Sequence, residues 1–338
     1  MAYQNVATPR FYANYGLFSI MSGIDLIGGD ASFWEAGILT QQFNLNPAST
    51  VRDLRNETHW FQFDDDIGYN FVFFLGHSMG VNGNNILVND YEHTFDGAFN
   101  FSVNASNNGE PSYDGWSLGG FNGSPFLGTK MRVYLEGGYK CNSVAFGRYY
   151  DMPVSPNLSL TLGREYGGTK EQTSYNGSSI SNTMWNKPPM WGDLGAWELW
   201  TENVSVDRTP INTFFNKQSR SGRRTWDLKF SFISDSDIWG VNQMLSTRGE
   251  NISTDIGYES DDFIDGTAFN YNLLTDDNFF SQVWHRTLGG TLPFIFQPDN
   301  TNNNPDQFAI CRFTTDTLKV TQSAFNVYDI SVSIEEVW

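Results

Sequence analysis

Basic residues are scarce in this sequence. Its 338 residues include 20 Lys or Arg against 38 Asp or Glu, a formal charge of −18. Phosphate backbones bind to basic surfaces, so this balance argues against nucleic acid as a partner. Anionic membranes would repel the chain for the same reason. Charged residues of both signs make up only 17% of the total, and the acidic excess serves to keep an aromatic-rich protein in solution. Cysteine is nearly absent: Cys141 and Cys311 lie far apart without metal spacing, a pattern that points to free, buried thiols. No apolar run approaches the length of a membrane span, so no membrane insertion is expected. Met1-Ala2-Tyr3-Gln4-Asn5 lacks the basic region and apolar core of a signal peptide, so an unexported chain is expected. Triplets such as Asn56-Glu57-Thr58 then carry no glycosylation signal.

Histidine is scarce too. His59, His77, His93 and His285 are the four in the chain, and no two stand three or four apart as helical metal ligands would. Asp64-Asp65-Asp66 reads as a solvated acidic loop rather than a calcium site. Asp299–Asp306 loosely resembles a calcium-binding loop. It has Asn304 where that loop needs glycine and Ile310 where it needs glutamate. No phosphate-cradling glycine loop occurs. No catalytic residue, metal or cofactor is expected.

Abundance lies elsewhere. The chain has 28 Phe and 32 Gly, and aromatics reach 16%. Aromatic runs separated by Gly and Asn turns favour β structure. The segment from Asn70 to Gly80 contains Gly76-His77-Ser78-Met79-Gly80, which fits the G-x-S-x-G elbow of serine esterases. That elbow needs a helix directly after the serine. Val81-Asn82-Gly83-Asn84-Asn85 breaks a helix, and Ile86-Leu87-Val88 reads as another strand. Strand, polar loop and strand predict a hairpin or meander, and a Ser78 hydrolase is the least favoured reading.

The pattern divides the chain into four stretches. Residues 1–39 form an aromatic N-terminal segment with Phe11, Tyr12, Tyr15 and Phe18. It is either an arm that docks on a neighbouring chain or an edge strand of the first domain. Residues 40–165 read as short strands between turns: Trp60–Phe63, Tyr69–Leu75, Ile86–Val88, Ala98–Val103, Lys130–Glu136 and Ser143–Tyr149. Several short strands at regular intervals suggest a β-sandwich or barrel. Residues 166–200 form a connection, with a flexible Gly177-Ser178-Ser179 stretch followed by a Trp/Pro-rich cluster. Residues 201–338 read as a smaller α+β domain. There Trp226, Leu228, Phe230 and Phe232 alternate on one predicted core face. Ser234-Asp235 looks like a helix N-cap ahead of Ile238, Trp239, Val241, Met244 and Leu245. A second helix is expected to begin at Thr275-Asp276-Asp277, to carry Phe279, Phe280, Val283 and Trp284, and to stop at Gly289-Gly290.

Tryptophans in polar loops suggest contact surfaces. Trp116 lies in Asp114-Gly115-Trp116-Ser117, a loop of the kind that stacks on a sugar face, and it is the candidate glycan contact. Trp185 and Trp191 fit subunit interfaces better, where aromatics are enriched. With the N-terminal aromatics, the candidate interface set is Phe11, Tyr12, Tyr15, Phe18, Trp185 and Trp191.

Four segments carry a family resemblance. Tyr69-Asn70-Phe71-Val72-Phe73-Phe74-Leu75-Gly76-His77 resembles a phrase of tailed-bacteriophage virion proteins, in which an apolar strand ends in Gly-His-Asn-Leu. Here Ser78 and Met79 replace the Asn and Leu. Ser143-Val144-Ala145-Phe146-Gly147-Arg148-Tyr149 is similar to a later strand of the same domains. Arg223–Phe230 followed by Ser234-Asp235-Ser236-Asp237 resembles the tail-protein pattern after it. So does the end of the chain, Leu292–Asp299 through Asn326–Ser331. The resemblance implies a mainly β chain whose N-terminal β-sandwich is a galactose-binding-like jelly-roll. It implies a structural component of the tail, tail tip or baseplate, assembled in the host cytoplasm. The implied partners are copies of itself, other virion proteins and a host-surface glycan. A carbohydrate-binding module for host glycans is the alternative.

Overall fold

The computed structural model describes residues 5–22, 26–29, 43, 45, 58–63, 68–77, 86–90, 99–103, 115–121, 126–127, 130–135, 143–165, 169–183, 223–239, 276–304 and 307–337. In chain order the first strands are β1 (Arg10–Ala13), β2 (Leu26–Gly29), β3 (Thr58–Phe63), β4 (Gly68–Tyr69) and β5 (Phe71–His77). Next are β6 (Ile86–Asp90), β7 (Phe99–Val103), β8 (Gly115–Phe121), β9 (Phe126–Leu127) and β10 (Lys130–Leu135). Then follow β11 (Ser143–Gly147), β12 (Tyr149–Asp151), β13 (Thr161–Glu165), β14 (Thr169–Thr173) and β15 (Ser179–Thr183). The last are β16 (Arg223–Ser234), β17 (Phe294–Gln297), β18 (Ala309–Phe313), β19 (Lys319–Ala324) and β20 (Val327–Glu336). Helical elements are α1 (Tyr15–Ser22), α2 (Asp235–Ile238) and a π-helix over Phe280–His285.

The chain is mainly β, and its described sheets are antiparallel. The largest runs β12-β1-β17-β18-β20-β16-β13, with β19 paired to the remaining half of one edge of β20. Two four-stranded sheets, β2-β3-β10-β6 and β11-β5-β8-β7, accompany it. Among the described residues no sheet closes into a barrel.

The middle of the large sheet is buried on both faces. Phe11, Phe294, Phe296, Cys311 and Phe313 point to one side, where Trp226, Leu228, Phe230, Phe279 and Val283 join them. Tyr12, Ile295 and Ile310 point to the other side, against Phe71, Phe73, Leu75 and Ala145 of the β11-β5-β8-β7 sheet. Successive side chains of a strand face opposite ways, so a strand covered on both sides must be apolar throughout. Phe294-Ile295-Phe296 meets that condition.

β1 lies inside this sheet. Phe11 is opposite Tyr150 on one flank and Phe296 on the other. Residues 10–13 of the N-terminal segment are therefore an interior strand, neither an arm on a neighbour nor an edge strand of the first domain. Its aromatics alternate between two apolar layers, which no position at an edge would satisfy. The large sheet takes strands from 10–13, 149–151 and 161–165 together with strands between 223 and 336.

Other expectations meet the structure in detail. β5 and β6 are both strands, but β5 pairs with β8 and β11 whereas β6 pairs with β10. They form no hairpin with each other, because the two belong to different sheets. The stretch 169–183 is a β-ribbon of β14 and β15 rather than a flexible connection, and the Ser174 N–H closes its turn by donating to the Ser178 carbonyl at 2.8 Å. Gly177, at φ 81, supplies the left-handed residue of that turn. The ribbon's described side chains are almost all exposed.

In the C-terminal part, the Ser234 hydroxyl caps α2 by accepting from the Asp237 N–H. The helix is a single turn, and Trp239 is already extended. Val241, Met244 and Leu245 lie outside the described residues. Asn278 accepts from the Ser281 N–H at 2.8 Å and so starts the second helix, which winds as a π-helix. The chain leaves it through Gly289 and Gly290, both at positive φ.

Candidate functional site

Each ring of the N-terminal candidate set is buried within its own chain. Phe11 packs on Phe279, Phe294 and Phe296. Tyr12 meets Phe71 and Phe73 edge-on, and its hydroxyl donates to Gln297 Oε1 at 2.8 Å. Phe18 stands 5.1 Å from the His285 ring. Tyr15 and Phe18 are carried by α1, whose entry is fixed by Asn14. The Asn14 Oδ1 accepts from the Gly16 N–H, and its Nδ2 donates to the Phe43 carbonyl. These four residues form core rather than an intersubunit surface, because burial in one chain leaves nothing to offer another. Trp185 and Trp191 lie outside the described residues. Trp116 belongs to strand β8, with its backbone opposite Leu75, and not to a loop. The glycines of that strand conceal it in the sequence. Gly119 and Gly120 stand opposite Val72 and Phe71, where small residues leave room for bulky neighbours.

The Gly-His-Ser-Met-Gly string ends strand β5 at His77, and Ser78 lies outside the described residues. Of the histidines, His285 is in the π-helix. Burial and the neighbouring Arg286 push its pKa down to about 4. A neutral, half-buried imidazole packed on Phe18 reads as structural. His59 and His77 lie on strands β3 and β5. His93 and Asp64-Asp65-Asp66 are outside the described residues. Among the described residues no three His, Cys, Asp or Glu side chains are grouped to hold a metal. The Asp299 loop is closed by its own residues: Asp299 Oδ1 accepts from the Thr301 N–H and hydroxyl, and Asn302 Oδ1 accepts from the Asn304 N–H. Cys311 is a free buried thiol, as its isolation in the sequence predicts, and burial raises its pKa well above the usual value. Cys141 is outside the described residues.

Two charged pairs serve the sheet. Arg224 donates from Nε and Nη2 to the Glu336 carboxylate and from Nη2 to the Phe308 carbonyl. This joins the end of β16 to β20 and to the segment before β18. Arg10 grips Asp151 through two hydrogen bonds at 2.6 and 2.7 Å while its guanidinium lies 3.9 Å above the Tyr149 ring. Its pKa is raised: burial is the largest single influence and acts to lower it, and the Asp151 hydrogen bonds, the Asp151 charge and the interactions with Tyr12 together outweigh that. These pairs are satisfied within the chain and leave no charge aimed at a substrate.

What the protein does present is apolar surface at one end of the large sheet. A bulge in β16 separates Phe230, opposite Ile330, from Ile233, opposite Tyr328. The extra residue turns Phe232 outward at φ 63, with 81% of its surface exposed. Ile233 takes the core position that alternation assigns to Phe232, and this corrects the expected core face. Beside it, β19 and β20 form a hairpin turning at Phe325-Asn326, where Phe325 is 87% exposed and Asn326 has φ 58. Leu158 is also fully exposed. Its neighbour Asn157 anchors that loop to β16 through the Lys229 carbonyl and the Ser231 hydroxyl. β19 is itself exposed along its length, apart from a half-buried Val320. Sequence reading missed both features. Lys319–Ala324 is too polar to register as a strand, and a bulge leaves no mark on an alternating pattern.

No protein family, curated protein or solved structure matches this chain. Among the described residues no helix is long and apolar enough to cross a membrane.

Proposed function

We propose that this chain is a structural subunit of a tailed-bacteriophage virion, placed in the tail, its tip or its baseplate, and that it works through contacts with copies of itself and with other virion proteins. One observation carries the reading: the segments that bear the resemblance are strands that pair with one another. Phe71–His77 is β5, and it pairs with Ser143–Gly147, which is β11, setting Phe74 against Val144. Arg223–Ser234 is β16, and it pairs with Val327–Glu336, which is β20. The β11-β5-β8-β7 sheet is the part of the proposed galactose-binding-like jelly-roll that lies against the large sheet. Exposed Phe232 and Phe325, which flank the end where β16 pairs with β20 (Ser234 opposite Val327), support a role in assembly, because large apolar side chains brought together at a surface mark interaction sites.

Mass spectrometry of purified particles tests the reading. The chain is expected among the virion proteins at a stoichiometry matching a tail component, and gold labelling should place it on the tail. Its absence from intact particles would refute the proposal.

A further inference from the structure

We infer that Asn176-Gly177, at the tip of the β14–β15 ribbon, is a self-modifying site. There the Gly177 amide nitrogen displaces ammonia from the Asn176 side chain, and water converts the product to aspartate or isoaspartate. The inference is independent of the assembly reading. Residues 174–178 form the turn between the two strands. Asn176, Gly177 and Ser178 are exposed, and a Cβ at Gly177 would meet nothing within 4 Å. No side chain therefore screens the Gly177 nitrogen from the carboxamide that precedes it in the chain. Glycine also lacks the Cβ that would restrict the backbone during ring closure. Asn176 Oδ1 accepts from the Ser178 N–H at 3.1 Å and from the Ser174 hydroxyl. Both donors draw electrons from the carboxamide carbon. They also face the oxygen that becomes negative as the nitrogen adds, as the donors of an oxyanion hole do.

One contact opposes the reaction. The Gly177 N–H donates to the Ser174 carbonyl at 2.9 Å and must leave it before the nitrogen can attack. The ribbon yields this contact at low cost. Among the described residues β14 and β15 pair only with each other, and almost all their described side chains are exposed. A two-stranded ribbon of this kind is marginally stable in water, so its tip opens without disturbing the sheets. In the opened turn the Gly177 nitrogen bonds to Asn176 Cγ. The Cγ–Nδ2 bond breaks, and Nδ2 leaves as ammonia, carrying the proton of the Gly177 amide. Water then opens the five-membered imide. Attack at Cγ gives aspartate, and attack at the main-chain carbonyl gives isoaspartate, in which the chain runs through the former side chain. Each event consumes water and releases ammonia, with no oxidant or cofactor. It adds a negative charge at the tip, and isoaspartate adds a methylene to the backbone of the turn. The tip thus changes in one direction as the protein ages.

Peptide mapping by tandem mass spectrometry tests the inference on the full chain, incubated for several weeks at physiological temperature. Position 176 should gain about 1 Da. The gain should quicken as the pH is raised from about 7 to about 9, because the attacking nitrogen must give up its proton. An isoaspartyl methyltransferase with a labelled methyl donor should mark part of the product. Asn182, on β15 ahead of the β-branched Thr183, should keep its amide. Gly177→Ala should slow the gain about tenfold, a barrier raised by about 1.4 kcal/mol. Asn176→Gln requires a larger ring and should leave the position unmodified. Circular dichroism should show an unchanged fold in both variants, because the ribbon lies outside the apolar cores. An intact amide at Asn176 after incubation at the higher pH would overturn the inference. A product free of isoaspartate would do the same, since it means direct attack by water without Gly177. So would Gly177→Ala that reacts as fast as the wild type.

Discussion

Phe232 holds a left-handed backbone and leaves most of its ring in water. A non-glycine residue in that conformation costs about 1–2 kcal/mol, and glycine's greater freedom when unfolded offsets about 0.5–1 of it. Phe232→Gly is therefore expected to raise stability by up to about 1 kcal/mol. Trp226, on the same strand, is 3% exposed and packs 5.2 Å from the Phe296 ring. Trp226→Ala should cost roughly 3–5 kcal/mol. Urea midpoints of the two variants, at unchanged slope, should move in opposite directions. His285 supplies a pH dependence. Its folded pKa, about 4, lies below the ordinary 6.5 because burial and Arg286 disfavour the charged ring. The unfolded chain therefore binds the proton first. The stability contributed by the neutral ring is complete above about pH 6.5 and is lost progressively as the pH falls toward 4, by roughly 3 kcal/mol in all. His285→Gln should flatten the stability profile across that window. An unchanged slope would place the titration on other groups.

At the scale of elements, legibility followed the number of layers packed on each strand. β5 and β11 announced themselves as apolar runs because they are covered on both faces, a burial that β17 shares. β16 alternated visibly as far as Phe230, where only one face is buried. The helix starts at Ser234 and Asn278 follow from side chains that cap backbone N–H groups, and both fall within or beside the expected polar clusters. β13, β14, β15 and β19 went unread because they bury almost nothing, so no apolar period betrays them. β8 was hidden by Gly119 and Gly120, which break its apolar pattern where it pairs with β5. The candidate surface was the least legible part. Sequence patterning picks out aromatics, and aromatics in this chain are mostly core. The few that face water are selected by a bulge and a tight turn, two backbone events without an apolar signature.

For the whole molecule, the decisive feature is that the chain's beginning is built into the sheet formed by its end. β1 separates β12 from β17, so without it the large sheet loses the link to its β12 edge. Deleting residues 2–20 would remove β1 and most of α1, together with the buried Phe11, Tyr12, Tyr15 and Phe18. That truncated protein is expected to be insoluble or to lack a cooperative melting transition. Recovery of a soluble, cooperatively folding product would mean that these residues dock on a sheet already complete. The same arrangement sets a schedule for synthesis. Tyr12 and its hydrogen-bond partner Gln297 are 285 residues apart. At about 5–20 residues per second, the ribosome delivers the second roughly a quarter of a minute to a minute after the first. For that interval Phe11 and Tyr12 lack the strand Phe294–Gln297 that flanks them in the finished sheet, and a waiting chaperone would find its binding site there.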